Sequence, residues 1–255
     1  MRKLVGLAVL TAVVAAPAAA QMNGGETVEI PLRVYGGRMI VPVEASDGTQ
    51  LEFIASTFRT FFSETGAKRA GARAGLTLGG IPVSTDEAQT VPDAELTFGG
   101  KVYDGVVGAE TLNQFDVLFD VHGGRLVLQP TGRTVRWDGM TMSDPVPLRI
   151  FHGVAIGLDV ELPGTQYQAT LDLSKGSILV SQPVRRSLAL EGDRTETFKL
   201  GDATFTDLPL QVLDVEAVQG WDPSGKGFVF VGAPIASDCA ISVSWVHQEL
   251  RTCVR

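Results

Sequence analysis

The sequence PLRVYGG at residues 31–37 returns as PLRIFHG at residues 147–153, an offset of 116 residues. At the same offset, the tripeptide GTQ at residues 48–50 returns at residues 164–166, and no gap separates the two matches. Self-similarity at a fixed spacing indicates an internal duplication. We therefore expect the chain to contain two copies of one structural unit.

A third match shows how the two copies differ in length. The tripeptide VGA occurs at residues 107–109 and again at residues 231–233, an offset of 124 residues. The second copy therefore carries about eight more residues than the first. We expect most of them at residues 214–227, which contain the turn-rich sequence DPSG.

Each copy has the residue pattern of β-structure, with short β-branched and aromatic runs separated by Gly-Gly and Asp-Gly pairs typical of hairpins. The predicted strands of the first copy are residues 28–35, 39–44, 51–55, 117–121 and 126–129. Short helices are predicted at residues 63–74, where Ser63 can cap the first turn, and at residues 183–189. The pattern favours an all-β protein with two lobes.

The first twenty residues have the features of an export signal. Arg2 and Lys3 precede an apolar run rich in small residues, and alanines at positions 18–20 offer a cleavage site before Gln21. We expect a periplasmic or secreted protein with no stable membrane anchor after cleavage, and an uncleaved anchor is the alternative. The predicted organisation is a signal peptide at residues 1–20, a lobe at 21–130, a linker at 131–145 and a second lobe at 146–255.

Composition excludes several classes of function. The 255 residues are 44% hydrophobic and 20% charged, with a net charge of −8, so the chain is globular and lacks the basic surface that nucleic-acid binding needs. Two cysteines and three histidines have no metal-ligand spacing. We therefore expect no nucleic-acid partner and no metal. We also expect no cofactor, and a monomer.

Four short segments carry a resemblance to a known family. Residues 170–174 (TLDLS) precede the apolar run ILVS at 178–181, and an apolar-apolar-glycine sequence occurs in each copy, at residues 106–109 and 230–233. Over residues 29–254 this arrangement resembles the retropepsin-like aspartic peptidases, fused in tandem. The resemblance implies two β-barrel lobes with a cleft between them.

The signature loops depart from the family pattern. The family has Asp-Thr-Gly once in each lobe, and the two carboxylates share a proton, so that one activates water while the other polarises the peptide carbonyl. Here the offset of 116 residues places Ser56 opposite Asp172, and the loops are STF and DLS. A hydroxyl does not ionise at working pH, so this pair cannot form the dyad.

Other positions of the two loops point the same way. In the family, threonines of the two loops hydrogen-bond across the lobe interface; Thr57 is present, but Leu173 at the partner position has no polar side-chain atom. Phe58 and Ser174 replace the glycine that permits close backbone approach. The two dyad positions are therefore expected to be vestigial.

These departures lead to the hypothesis of an aspartic-peptidase homologue that lacks peptidase activity and binds an extended peptide or another ligand in the interlobe cleft. One alternative is an active aspartic endopeptidase that uses Asp172 with a second acid. Glu64, in the sequence ETGA, is a candidate for that acid, but a helix start capped by Ser63 is the favoured interpretation, because the ungapped repeat leaves no room for the shift. A third hypothesis is a structural scaffold in an envelope assembly.

Histidines and cysteines offer further candidates. A Ser/His/Asp hydrolase would need a histidine beside Ser56, but His122, His152 and His247 fall in predicted hairpins. Cys239 and Cys253 flank the last hairpin, where they could form a disulfide or remain buried thiols.

Of the glycine-containing turns, one bears on access to the cleft. Residues 79–82 (GGIP) hold the place of the substrate-covering flap that the resemblance implies, and they could form a lid or a simple strand turn. Residues 99–100 and 201–202 are interpreted as equivalent hairpin turns of the two copies.

Overall fold

A computed structural model describes residues 26–71, 75–131, 137, 139–151, 155–189, 192–213, 227–237 and 239–253. The predicted signal peptide, residues 72–74 of the predicted first helix, His152 and residues 214–226 lie outside the described residues. About half of the chain is strand and 12% is helix, arranged as two similar lobes that each contain a curled sheet. The prediction of an all-β, two-lobed fold is therefore confirmed.

The described residues of the first lobe form thirteen strands: β1 (Val28–Pro31), β2 (Arg33–Tyr35), β3 (Arg38–Glu44), β4 (Gln50–Ala55), β5 (Phe61–Ser63), β6 (Thr77–Leu78), β7 (Ile81–Pro82), β8 (Gln89–Val91), β9 (Thr97–Phe98), β10 (Lys101–Val102), β11 (Gly105–Val107), β12 (Phe115–Asp120) and β13 (Arg125–Pro130). Its helices are α1 (Glu64–Ala70), a 3₁₀ helix at Asp93–Leu96 and α2 (Ala109–Leu112).

The second lobe contains the remaining described strands: β14 (Val146–Pro147), β15 (Arg149–Phe151), β16 (Ala155–Leu162), β17 (Thr165–Leu171), β18 (Ile178–Ser181), β19 (Phe198–Leu200), β20 (Ala203–Phe205), β21 (Leu210–Leu213), β22 (Val229–Val231), β23 (Ala240–Ser244) and β24 (Glu249–Thr252). Its helices are α3 (Gln182–Ser187) and a 3₁₀ helix at Ala233–Ala236.

The two lobes repeat one sheet topology. The first lobe has the strand order β7-β6-β3-β4-β11-β5-β8, with β2 on β3, and the second has β20-β19-β16-β17-β22-β18-β21, with β15 on β16. In both, a parallel pair lies at the centre, β4 with β11 and β17 with β22. Because these pairs carry the signature segments, equivalent loops emerge at equivalent places.

A third sheet joins the lobes. Its order is β1-β13-β12-β23-β24-β14, so the closing hairpin of each copy pairs directly with the other through β12 and β23. Val117 lies opposite Val243 in this register, and both are fully buried. The sequence predicts the two hairpins but gives no sign that they pair with each other.

The core follows from the alternation of the strands. The largest fully buried side chains include Phe53, Phe62, Phe119 and Phe198, which lie in one apolar cluster that extends through both lobes. A second cluster, around Ile54 and Tyr103, covers the other face of the first lobe's sheet. Successive residues of the central strands point to opposite faces of the sheet, and both faces are therefore buried.

The strand registers correct the predicted equivalence of the glycine turns. Glu44 of β3 pairs with Thr77 of β6, and Glu161 of β16 pairs with Lys199 of β19 in the same way. The turn after β19, which contains Gly201, is therefore equivalent to the turn after β6, which contains Gly79, and the predicted equivalence with residues 99–100 is wrong.

The extra residues of the second copy are also placed differently from the prediction. Phe61 and Leu179 have equivalent positions beside β11 and β22, so the loop from Asp172 is already two residues longer than the loop from Ser56. The next registers show that most of the remaining extra residues precede β19. The prediction that most of the extra residues lie at residues 214–227 is therefore wrong.

The turn at residues 79–80 packs against the outer strand of its lobe. A Cβ atom at Gly79 would lie 2.7 Å from Ile30 Cγ1, and Gly201 has the same relation to Val146 Cγ2. Both lobes contain this hairpin. Of the two alternatives for residues 79–82, a lid or a simple strand turn, the structure therefore has the strand turn.

Local signals for the helices and the cysteines agree with the structure. Ser63 caps α1, since its hydroxyl accepts a hydrogen bond from the Gly66 N–H at 2.8 Å. Cys239 and Cys253 form a disulfide with Cα atoms 6.0 Å apart, beside the sheet that joins the lobes. Over the described ranges, no helix is both long enough and apolar enough to cross a membrane.

Candidate functional site

The two signature loops begin directly after the central strands of the lobes. Ser56 follows β4 and donates its backbone N–H to Val107 O at 3.0 Å, and Asp172 follows β17 and donates to Val231 O at the same distance. The parallel pairs β4–β11 and β17–β22 have the same register, so backbone hydrogen bonds set the positions of both residues. The structure therefore brings together the two positions that the sequence repeat places opposite each other.

Ser56 and Asp172 form a buried hydrogen bond. The Ser56 hydroxyl donates to Asp172 Oδ1 at 2.9 Å, and the two residues are 0% and 3% exposed. The Phe58 N–H in turn donates to Ser56 Oγ at 3.1 Å. The serine hydroxyl is therefore both a donor and an acceptor within this network.

One carboxylate oxygen carries most of the network. Asp172 Oδ1 also accepts from the Ser174 N–H at 3.0 Å and from the Ser174 hydroxyl at 2.6 Å. The other oxygen, Oδ2, lies 3.7 Å from Lys175 Nζ, which is an ion pair but too long for a direct hydrogen bond. Ser174 therefore binds the aspartate from within its own loop.

Thr57 connects the two signature loops by hydrogen bonds. Its hydroxyl donates to Leu171 O at 3.0 Å and accepts from the Leu173 N–H at 3.4 Å, so it bonds to the opposite lobe through backbone groups. The expectation that Leu173 removes the partner of Thr57 is therefore wrong, because a backbone N–H supplies the donor. The Leu173 side chain is fully buried in the core instead.

The glycines of the apolar-apolar-glycine segments have a steric reason. A Cβ atom at Gly108 would lie 2.4 Å from Phe58 O, and one at Gly232 would lie 2.3 Å from Ser177 O. Any side chain at these positions would displace a signature loop. The Phe58 side chain is half-buried, and it is the Phe58 backbone carbonyl that lies against Gly108.

The first hairpin of the N-terminal lobe covers the Asp172 loop. A Cβ atom at Gly176 would lie 2.9 Å from Gly36 O and 3.0 Å from Arg38 Nη1. Burial lowers the pKa of the Arg38 guanidinium, and the charges of Tyr103 and Asp172 oppose that effect. Sequence reasoning missed Arg38, since nothing along the chain shows that β3 reaches the other lobe's signature loop.

The other candidate residues lie elsewhere. Glu64 is exposed at the first position of α1, capped by Ser63, which agrees with the helix-start interpretation. His122 and His247 lie in the turns of the closing hairpins, where their backbone N–H groups bond to Cys239 O and Ser244 Oγ. Neither histidine contacts Ser56 in the described structure.

The described residues contain no group of three or more His, Cys, Asp or Glu side chains arranged to hold a metal ion. No protein-family model matches the chain, and no curated protein matches it.

Proposed function

We propose that this chain is an exported homologue of the retropepsin-like aspartic peptidases that lacks peptidase activity and binds an extended peptide between its lobes. Two lobes of one topology, each presenting a loop at the end of a central parallel pair, support the relationship. The relationship rests on this arrangement and on the signature segments together.

The hydrogen bond between Ser56 Oγ and Asp172 Oδ1 carries the proposal. Water-mediated peptide hydrolysis by this family's chemistry needs two carboxylates that share one proton. A serine hydroxyl can donate a hydrogen bond to the aspartate, but it cannot act as the ionised partner that takes a proton from water. The pair can therefore hold the lobes together without forming a catalytic dyad.

Exposed side chains on the first hairpin of each lobe support peptide binding. Tyr35 of β2 and Phe151 of β15 occupy equivalent strand positions and are 49% and 48% exposed. In the first lobe this hairpin reaches the Asp172 loop through Gly36. Aromatic rings beside extended backbone provide the pockets and edges that bind an extended chain.

Export is supported by two features. Residues 1–20 have the composition of a cleavable signal. The disulfide between Cys239 and Cys253 is of the kind that persists in oxidising compartments.

Binding to an array of overlapping peptides from unfolded casein tests this function, with mass spectrometry of the eluted peptides as the second readout. We expect bound peptides that are recovered intact, and weaker binding by the Tyr35→Ser/Phe151→Ser double variant. Val246→Ser is the matched control, because Val246 is 59% exposed in the last hairpin turn. Recovery of cleaved peptides, or equal loss in the control, would contradict the proposal.

A further inference from the structure

Two cations lie beside the single aspartate of the site. Lys175 Nζ is 3.7 Å from Asp172 Oδ2, and Arg38 reaches the same loop from the other lobe, where its Nη1 would be 3.0 Å from a Cβ atom at Gly176. We call Arg38 and Lys175 the cationic rim. This is a local excess of positive charge in a chain whose net charge is −8.

Arg38 has hydrogen-bonding capacity to spare. Its Nη1 donates to Gly36 O at 2.9 Å, and its guanidinium lies 3.3 Å from the centroid of the Phe98 ring. The buried Nε has no hydrogen-bond partner in the structure. A half-buried guanidinium stacked on a ring is held in one plane, and its planar arrangement of donors matches the geometry of a carboxylate.

Lys175 is also incompletely paired. Its separation from Asp172 exceeds hydrogen-bond length, and Asp172 Oδ1 is already occupied by Ser56 and Ser174. The Lys175 side chain is 45% exposed. The lysine can therefore turn toward a ligand without breaking a direct hydrogen bond.

Neighbouring charges leave the excess in place. Arg59, in the Ser56 loop, has no ion pair within the described part of the chain. Glu110 is the nearby acid of that loop, and its Oε2 accepts from the Thr60 N–H and hydroxyl at 2.9 and 3.0 Å. The two cations of the rim therefore lie beside one acid, Asp172, while the Glu110 carboxylate is already bonded to Thr60.

We infer that the cationic rim binds a carboxylate group of the peptide, so that the preferred ligands are acidic polypeptide segments. This inference rests on the proposed function and names the class of peptide. A polyanion such as nucleic acid is disfavoured, because the net negative charge of the whole chain would repel it while the rim offers only a few cations.

Fluorescence anisotropy with four labelled peptides of one apolar sequence tests the inference. The peptides carry two Glu, two Gln or two Lys with an amidated C-terminus, or two Gln with a free C-terminus. We expect the Glu peptide to bind about tenfold more tightly than the amidated Gln peptide at low salt, and this preference to shrink as salt is added. The free-terminus peptide shows whether a terminal carboxylate serves as well as a side chain.

Variants assign the preference to the rim. Arg38→Gln is expected to weaken binding of the Glu peptide about tenfold and Lys175→Gln about threefold, with the Gln peptide unaffected. Lys68→Gln is the control, since Lys68 is an exposed lysine of α1. Because the Lys175 side chain is 45% exposed and makes no direct hydrogen bond to Asp172, its variant keeps the test valid if Arg38→Gln fails to fold.

The outcomes separate this inference from the proposed function. Equal binding of the Glu, Gln and Lys peptides would overturn the carboxylate preference and leave peptide binding intact. Absence of binding by all four peptides, together with an empty casein array, would overturn peptide binding itself. A preference for Glu that survives both rim variants would place the carboxylate site elsewhere and contradict the inference.

Discussion

Ser56 and Asp172 lie within one hydrogen bond of each other, and the identity of one side chain sets what the pair can do. With a hydroxyl opposite it, the aspartate has a neutral donor that needs no shared proton. With a second carboxylate at that distance, the two charges would repel and one of them would hold its proton.

Ser56→Asp is predicted to make stability depend on pH. The pKa of one carboxyl of the new pair would be raised, so the native state would bind more protons than the unfolded state above about pH 4. Stability of the variant should therefore fall, relative to wild type, as the pH rises from about 4 toward the raised pKa. Thermal unfolding between pH 4 and 7 measures this, with Ser56→Asn as a neutral control, and parallel curves for all three proteins would contradict it.

Thr57→Val is predicted to destabilise the protein by about 1 to 3 kcal/mol. The substitution keeps the shape but removes both cross-lobe bonds, leaving Leu171 O and the Leu173 N–H without that partner. Urea unfolding measures the change. Thr204→Val, at an exposed position of β20, is the control and is expected to change stability by less than about 0.5 kcal/mol. A similar loss of stability in both variants would argue against a stabilising role of the Thr57 hydrogen bonds between the lobes.

The site could be predicted from the sequence in part. Ser56 and Asp172 follow from an ungapped repeat, because equal spacing places equivalent loops at the ends of equivalent strands. Arg38 and the backbone partners of Thr57 did not follow, since they depend on which surfaces of the two lobes come into contact.

At the level of elements, the hairpins after β6 and β19 show the duplication most directly. Gly79 and Gly201 have φ angles of +59° and +57°, and a Cβ atom at either would lie 2.7 Å from the equivalent outer-strand residue. Both positions therefore exclude a side chain for two reasons, the backbone conformation and the close contact.

Gly79→Ala and Gly201→Ala are predicted to destabilise the protein to a similar extent, by about 2 to 5 kcal/mol each. Gly80→Ala is the control for conformation alone, because its φ is +83° and no atom lies within 4 Å of its added Cβ; it should cost only about 1 to 2 kcal/mol. Denaturant unfolding gives all three values. Unequal effects at Gly79 and Gly201, with Gly201 no worse than Gly80, would contradict the equivalence.

Most strands were predictable because turn residues and β-branched runs are local signals. The pairing of strands is not local. Strand pairing therefore determined the equivalence of the turns and the positions of the insertions, which the sequence analysis predicted wrongly. The equivalence of Gly79 with Gly201 is visible in the registers of β6 and β19 and not in the sequence, because the insertions between equivalent strands are spread over several loops.

For the whole molecule, the sheet that joins the lobes predicts cooperative unfolding. Strands β12 and β23 pair over five residues in its middle, and one apolar cluster extends through both lobes. Neither lobe can unfold without exposing this sheet, so calorimetry should show one transition with equal calorimetric and van't Hoff enthalpies. Two resolved transitions would mean that the lobes are independent.

Digestion of unfolded casein between about pH 3 and 6 tests the central claim most directly, because carboxylate dyads work in that range. Wild-type protein and Asp172→Asn, purified side by side, should both leave casein intact, since a lone carboxylate opposite a serine cannot activate water in the way a dyad does. Cleavage by the wild-type protein that disappears in Asp172→Asn would contradict this account.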